Sequence, residues 1–202
     1  MSKGTVLIVS GPSGSGKDTI LCKVFDAIPE IKFSISSITR AMRAGETEGE
    51  KYNFISVDKF LNMLQNDEFL EFNKYLDNYY GTPRRPVEEV MNNGGEIIIE
   101  VDVNGAAQIR EKLPEAISVF VMPPSFEILK QRLSGRGTES EELVLKRLNE
   151  ALNEISRACE YDYIVVNDNL EEAVDNFVSI INSERNRTNK KINLINEVLS
   201  KC

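Results

Sequence analysis

Apolar residues recur along the chain in two rhythms. Thr5 to Ser10 (TVLIVS) is an unbroken, β-branched run ending at a glycine. A run with no polar face predicts a strand buried on both sides, as in a parallel sheet. Ile97 to Val101 (IIIEV), Ile117 to Met122 (ISVFVM) and Tyr163 to Val166 (YIVV) read the same way. Between these runs the spacing becomes helical. Ile20, Val24, Phe25 and Ile28 share one face of a helix over Thr19 to Ile28, which Pro29 stops. Further helices are expected at Pro86 to Asn92, Val103 to Lys112, Ser125 to Leu133 and Glu141 to Cys159. Strand–helix alternation predicts right-handed βαβ crossovers and an α/β fold.

Residues 34–82 break the pattern. They hold short polar strands and one helix at about Val57 to Asn66, and read as an inserted lobe. Residues 134–140 (SGRGTES) form a polar loop between two helices, the composition of a mobile lid. From Leu170 onward the pattern is helical. Leu170, Ala173, Val174, Phe177, Ile180 and Ile181 make one apolar stripe. A charged patch at Glu184 to Lys191 follows. A second stripe of Ile192, Ile195 and Leu199, with Leu194 and Val198, is expected to pack on the core or on a partner.

Composition narrows the chemistry. The chain has 202 residues, 24 basic against 32 acidic, a net charge of −8. That balance opposes general nucleic-acid binding, which needs a basic footprint, yet leaves room for a small cationic pocket. Histidine is absent, which removes Ser-His-Asp and Cys-His catalysis and histidine metal sites. Cys22, Cys159 and Cys202 are too far apart in sequence for a CxxC site and are odd in number. The N-terminal apolar run meets glycine after six residues, too short for a signal segment or a membrane span. The expectation is a cytoplasmic protein with no membrane or nucleic-acid partner.

The first strand leads directly into Gly11, Pro12, Ser13, Gly14, Ser15, Gly16, Lys17, Asp18 and Thr19, which open the first helix. Two glycines five apart followed by lysine make a phosphate-binding loop. Glycines let backbone N–H groups turn inward around phosphate oxygens, the helix N-terminus adds positive potential, and the lysine reaches the terminal phosphates. The alternative is a glycine-rich turn without ligand. Asp18 stands where a hydroxyl residue normally meets Mg²⁺. It either ligates the metal weakly or faces solvent, the metal then being held through water and substrate phosphates.

With these motifs in order, the chain resembles the guanylate kinases, P-loop nucleoside-monophosphate kinases. The likeness covers residues 4 to about 182. It rests on GPSGSGK at Gly11 to Lys17 and on FSISSITRAMRAGETEGEKYNF at Phe33 to Phe54, with Arg40, Arg43, Gly45, Glu46, Gly49, Tyr52 and Phe54 in place. It rests also on EFLEF and NYYGT within Glu68 to Thr82, on the acidic strand end and glycine within Gly94 to Gly105, on RLSGRGTESEELVLKR at Arg132 to Arg147, and on Asn167-Asp168. Asp18, Glu100 where Asp is usual, and the tail beyond about residue 186 depart from the family pattern.

The resemblance implies a P-loop NTPase core with a parallel five-stranded sheet flanked by helices, an inserted GMP-binding lobe and a helical lid. In one domain, the core would be 1–33, 83–125 and 160–202, the lobe 34–82 and the lid 126–159. It implies transfer of the γ-phosphoryl of ATP to GMP, with dGMP as a further candidate acceptor, with Mg²⁺, by a monomer or homodimer. ATP would be held by residues 11–19, Arg132, Arg136 and Asn167. The GMP phosphate would meet Arg40, Arg43, Tyr52 and Tyr80, since forked guanidinium groups suit phosphate. Guanine's N1–H and N2–H₂ would donate to Glu71, with Ser36 and Thr82 on the other side. Glu100 and Asp102 would contact GMP and metal-bound water. Lys17, Arg40, Arg132, Arg136 and Arg147 would be the catalytic cations.

Taken without the resemblance, several of these residues read otherwise. Arg40 and Arg43 would be solvated surface groups, Glu71 the exposed position of an alternating strand, and Asp102 the cap of the next helix. Two other functions compete. One is a non-catalytic, peptide-binding relative, opposed by Lys17 and the lid arginines. The other is a kinase for a different phosphorylated acceptor, opposed by Ser36, Glu71 and Thr82.

Overall fold

The structure is a computed structural model describing residues 3–135 and 141–200, with the Glu141 side chain left aside. In chain order the elements are β1 (Thr5–Ser10), α1 (Lys17–Ala27), β2 (Lys32–Phe33), β3 (Ser36–Ile38), β4 (Tyr52–Phe54), α2 (Val57–Gln65), β5 (Phe69–Tyr75), β6 (Asn78–Pro83), α3 (Arg84–Asn92), β7 (Glu96–Glu100) and α4 (Val103–Lys112). There follow β8 (Ile117–Met122), α5 (Phe126–Ser134), α6 (Glu141–Ser156), β9 (Tyr163–Val166), α7 (Leu170–Arg185) and α8 (Thr188–Leu199). A five-stranded parallel sheet runs β2-β7-β1-β8-β9, and a four-stranded sheet runs β4-β3-β6-β5. The parallel strands are apolar on both faces for the expected reason. Val6 to Val9, Ile97 to Ile99 and Val119 to Val121 are all buried. Each such side chain contributes about 1.5–3 kcal/mol relative to exposure.

The chain divides into two compact units. Among the described residues, one comprises Val9–Glu30, 118–135 and 141–200; the other comprises Lys3–Ile8 and Ile31–Ile117.

In the second unit, the four-stranded sheet has a sharply different pair of faces. Glu71 pairs across with Thr82, Asn73 with Tyr80, Ile38 with Tyr80 and Phe54, and Ser36 with Tyr52. Paired residues share a face, and alternate residues of one strand share it too. Ser36, Tyr52, Glu71, Tyr80 and Thr82 therefore line one side. The other side is built around Phe60 of α2, which stacks on Phe69 at 4.4 Å and on Tyr79 at 5.3 Å between ring centroids. The outer edge of β5 is closed by α4. The Gln108 side chain accepts from the Phe72 N–H at 3.1 Å and donates to the Phe72 carbonyl at 3.0 Å, and Lys112 donates to the Phe69 carbonyl at 3.0 Å. A capped edge keeps the strand from pairing elsewhere.

In the first unit, α5 and α6 meet through Leu129, Leu133, Leu148 and Ala151, all buried. Ser125 caps α5, its hydroxyl accepting from the Ile128 N–H. Helix α6 ends at Ser156 and a 3₁₀ turn takes Ala158–Glu160, so the expected helix stops short of Cys159. The expected continuous C-terminal helix is broken at Asn186 and Arg187. Ala173, Phe177 and Ile181 of α7 are buried, while α8 buries no residue. Its stripe of Ile192, Leu194, Ile195, Val198 and Leu199 is exposed. Glu184, buried at the end of α7, accepts from the Tyr163 hydroxyl at 2.6 Å and pairs with Arg187 at 2.7 Å, which fixes the junction. No helix among the described residues is long and apolar enough to cross a membrane.

Candidate functional site

The glycine loop lies in the first unit, between β1 and α1. The Ser15 N–H donates to the Pro12 carbonyl at 3.0 Å, and the Thr19 and Ile20 N–H groups donate to the Gly16 carbonyl at 3.1 Å, starting the helix. Gly16 is the N-cap of α1 with φ +83°, and a Cβ there would strike the Asn167 side-chain nitrogen. Only glycine meets both conditions. Asn167 is buried and its amide donates to the Ser15 carbonyl at 2.7 Å. Arg132 donates to the Asn167 carbonyl at 2.9 Å and to the Ser15 carbonyl at 3.4 Å. Arg147 donates to the Ser13 hydroxyl at 2.7 Å. The structure thus brings Arg132, Arg147 and Asn167 onto the loop that carries Lys17. The Ser15 hydroxyl is buried without a hydrogen-bond partner, a donor within the loop itself. Asp18 has a side chain 72% exposed, 3.7 Å from the Lys17 ammonium. Arg136 lies outside the described residues.

The second unit gathers the other group. Glu71 is only 5% exposed, and its Oε1 accepts from the Thr82 hydroxyl at 2.7 Å. Burial pushes its carboxyl up to about 7, with the Thr82 hydrogen bond opposing the shift and the nearby Asp102 charge adding to it. Asp102 caps α4, accepting from the Asn104 and Gly105 N–H groups at 2.9 and 2.8 Å. Its other oxygen accepts from the Asn73 amide at 2.9 Å. The capping reading of Asp102 therefore holds, whatever else it contacts.

Arg40 forms a forked pair with Glu46, with 2.7 Å between Nη1 and Oε2, and Glu46 also accepts from the Arg43 N–H at 2.8 Å. The Arg40 guanidinium lies 5.4 Å from the Tyr52 ring centre and 5.5 Å from that of Phe54, and it hydrogen-bonds Tyr80. Glu46 and Tyr80 hold Arg40 above its usual range, the Glu46 hydrogen bond most of all, against the opposing effect of burial. The same pair holds the Glu46 carboxyl down at about 2. Glu100, at the end of β7, pairs with Lys51 at 3.0 Å. Glu46, Lys51 and Asn73 were not assigned a role from the sequence. Glu46 and Lys51 both lie inside the Phe33 to Phe54 signature, the one signal that could have found them, whereas Asn73 falls between the EFLEF and NYYGT motifs with nothing to mark it. Among the described residues no three His, Cys, Asp or Glu side chains are grouped to hold a metal ion.

Each unit thus carries one set of polar groups suited to phosphate, and the second carries a buried carboxylate besides. The family model described as guanylate kinase matches residues 3–184. The chain belongs to the guanylate kinase family. It is accordingly a nucleoside-monophosphate kinase, a transferase. It is 46% identical over 182 residues to a guanylate kinase of Oceanobacillus iheyensis, covering 90% of this chain and 88% of that one. A guanylate kinase of Carboxydothermus hydrogenoformans is 42% identical over the full length of both. Among solved structures, the guanylate kinase of Anaplasma phagocytophilum superposes with a TM-score of 0.77 at 32% identity, covering 94% of this chain and 90% of that one. The parallel sheet, the loop and the family assignment agree with the fold expected from the sequence.

Proposed function

We propose that this chain transfers the γ-phosphoryl group of ATP to GMP, reversibly, giving ADP and GDP. The observation that carries this reading is the sheet face bearing Glu71 and Thr82 together with Tyr52 and Tyr80. A buried carboxylate and hydroxyls complement the donors of guanine, and Arg40 beside Tyr52 complements a phosphate. Ser36 and Thr82 would read the base alongside Glu71. Arg43 would join Arg40 on the phosphate, and Glu100 and Asp102 would bound the acceptor.

The donor nucleotide belongs to the glycine loop. Its backbone N–H groups and Lys17 would cradle the ATP phosphates, with Asn167 and Arg132 bracing the loop from behind. Arg132, Arg136 and Arg147 would neutralise charge that develops on the transferring group. A phosphate oxygen of GMP is already a nucleophile, so no general base is needed. Positioning and charge stabilisation then supply the rate.

Hard oxygen donors at the loop fit Mg²⁺. The Asp18 carboxylate and Thr19 hydroxyl, at the first turn of α1, would reach it through water while the substrate phosphates hold it directly. When bound, the ion supplies charge neutralisation on the polyphosphate. Phosphorus NMR of a mixture of ATP and GMP tests the reading. ADP and GDP should appear together, and Lys17→Ala should stop the transfer without weakening GMP binding. ATP hydrolysis independent of GMP would contradict it.

A further inference from the structure

Gly105 is the third residue of α4 and is buried. Its backbone is ordinary helix, a setting in which alanine is the better residue. Conformation therefore gives no reason for a glycine here; space does. A Cβ at Gly105 would lie 2.9 Å from Oε2 of Glu71, 3.3 Å from its carboxyl carbon and 3.1 Å from the Val101 Cβ.

The surroundings decide which of these atoms would yield. Strand β5 cannot back away from α4, because Gln108 holds both the N–H and the carbonyl of Phe72, and Lys112 holds the Phe69 carbonyl. The start of α4 is pinned by Asp102, which accepts from the Gly105 N–H itself at 2.8 Å. The other end of the Glu71 carboxylate is tied, since Oε1 takes the Thr82 hydroxyl. What remains free to move is Oε2, the tip of a flexible side chain.

We infer that Gly105 is a positioning residue for recognition of the acceptor base. Its missing side chain sets where Oε2 of Glu71 stands, and so how many donors of the base the carboxylate meets. The inference rests on the reading of Glu71 given above. Guanine offers two donor groups on that edge, N1–H and N2–H₂, whereas hypoxanthine offers only N1–H. A methyl group at 105 would swing Oε2 while Thr82 keeps Oε1, leaving one bond to the base instead of two. Discrimination against a purine lacking the 2-amino group is then lost, while the fold is kept.

The test is steady-state kinetics of Gly105→Ala with GMP and IMP as acceptors, run beside thermal melting. The melting temperature should hold or rise, and KM for ATP should stay within about twofold. The ratio of kcat/KM for GMP over IMP should narrow by about tenfold, the scale of one hydrogen bond lost to the base. A folded variant with an unchanged ratio overturns the inference, as does an equal fall on both acceptors. If Gly105→Ala does not fold, Glu71→Asp in the same chain shortens the carboxylate and should restore the melt. Failure of that rescue also overturns it. Glu71→Gln separates the two levels. Should it leave the GMP-to-IMP ratio untouched, the reading of Glu71 fails. Should it narrow the ratio where Gly105→Ala does not, only the role of Gly105 fails.

Discussion

Glu46 occupies both terminal nitrogens of Arg40 and accepts the Arg43 N–H at 2.8 Å, the contacts a phosphate would make with a forked cation. The rings of Tyr52 and Phe54 flank the same guanidinium. Arg40 is thereby fixed in one place with part of its fork committed, and a side chain already ordered loses less entropy when a ligand arrives. Because the Glu46 carboxyl is held down at about 2, the pair stays charged in the folded protein until pH approaches 2, and its contribution to stability is lost as pH falls from about 4.5 towards 2.

Glu46→Gln should raise KM for GMP by about tenfold. Inhibition by guanosine, which lacks the phosphate, should be unaffected. Tighter GMP binding in the variant would instead mean that Glu46 competes with the substrate.

The Glu71 carboxyl, raised to about 7 by burial, makes GMP binding depend on pH. Guanine donates to the ionised form, so the carboxyl must lose its proton before the base can bind. With a single group titrating at about 7, KM for GMP should rise about tenfold from pH 8 to pH 6. KM for ATP should not follow. A flat GMP profile over that range would exclude an ionised Glu71 as the acceptor.

Glu71 also has a stability consequence of definite sign. Its folded value lies above the ordinary glutamate value of 4.5, so ionisation opposes folding as pH rises from about 4.5 to 7. Glu71→Gln removes that charge. The variant should be more stable at pH 8, by up to about 3 kcal/mol, and the gain should vanish near pH 4.5. Its kcat/KM for GMP should fall by orders of magnitude. Melting curves at the two pH values check the sign, and a gain independent of pH would contradict it.

Asp18 is exposed at the first turn of α1, beside Lys17. A carboxylate there favours the positive end of the helix by roughly 0.3–1 kcal/mol. Asp18→Ser should lower the melting temperature slightly and keep kcat within about tenfold, or about 1.4 kcal/mol of barrier. A larger loss that excess Mg²⁺ restores would make Asp18 a metal ligand.

Asn167 braces the glycine loop through a buried bond to the Ser15 carbonyl. Asn167→Ala removes about 1 kcal/mol of support and should raise KM for ATP several-fold. KM for GMP should be unchanged, because Glu71, Thr82 and Arg40 belong to the other unit. Parallel increases in both constants would show that Asn167 supports more than the loop.

The sequence was most legible where one residue type had one job. An unbroken apolar run from Thr5 and glycines at 11 and 16 announce a buried strand and a phosphate loop, and both are present. Strand β2 is only two residues, Lys32–Phe33, too short for any rhythm, so the fifth strand came from family resemblance. The break at Asn186 and Arg187 carries no proline or glycine. It follows from the tertiary contact of Glu184 with Tyr163 and from the local pairing of Glu184 with Arg187 three residues on. Glu71 shows the limit most clearly. Set between Leu70 and Phe72, it reads as the wet side of a strand. It is buried because α4 closes over β5, a contact between segments more than thirty positions apart.

On the proposed reading the acceptor is a guanine nucleotide, chosen through Glu71. The most direct measurement is kcat/KM with ATP as donor and GMP, dGMP, AMP, CMP and UMP as acceptors. A carboxylate reading two donors of guanine predicts that GMP exceeds AMP by several orders of magnitude, since adenine lacks the N1–H and the 2-amino group. CMP and UMP should be as poor as AMP, with dGMP close to GMP. Equal efficiency on GMP and AMP would contradict this reading.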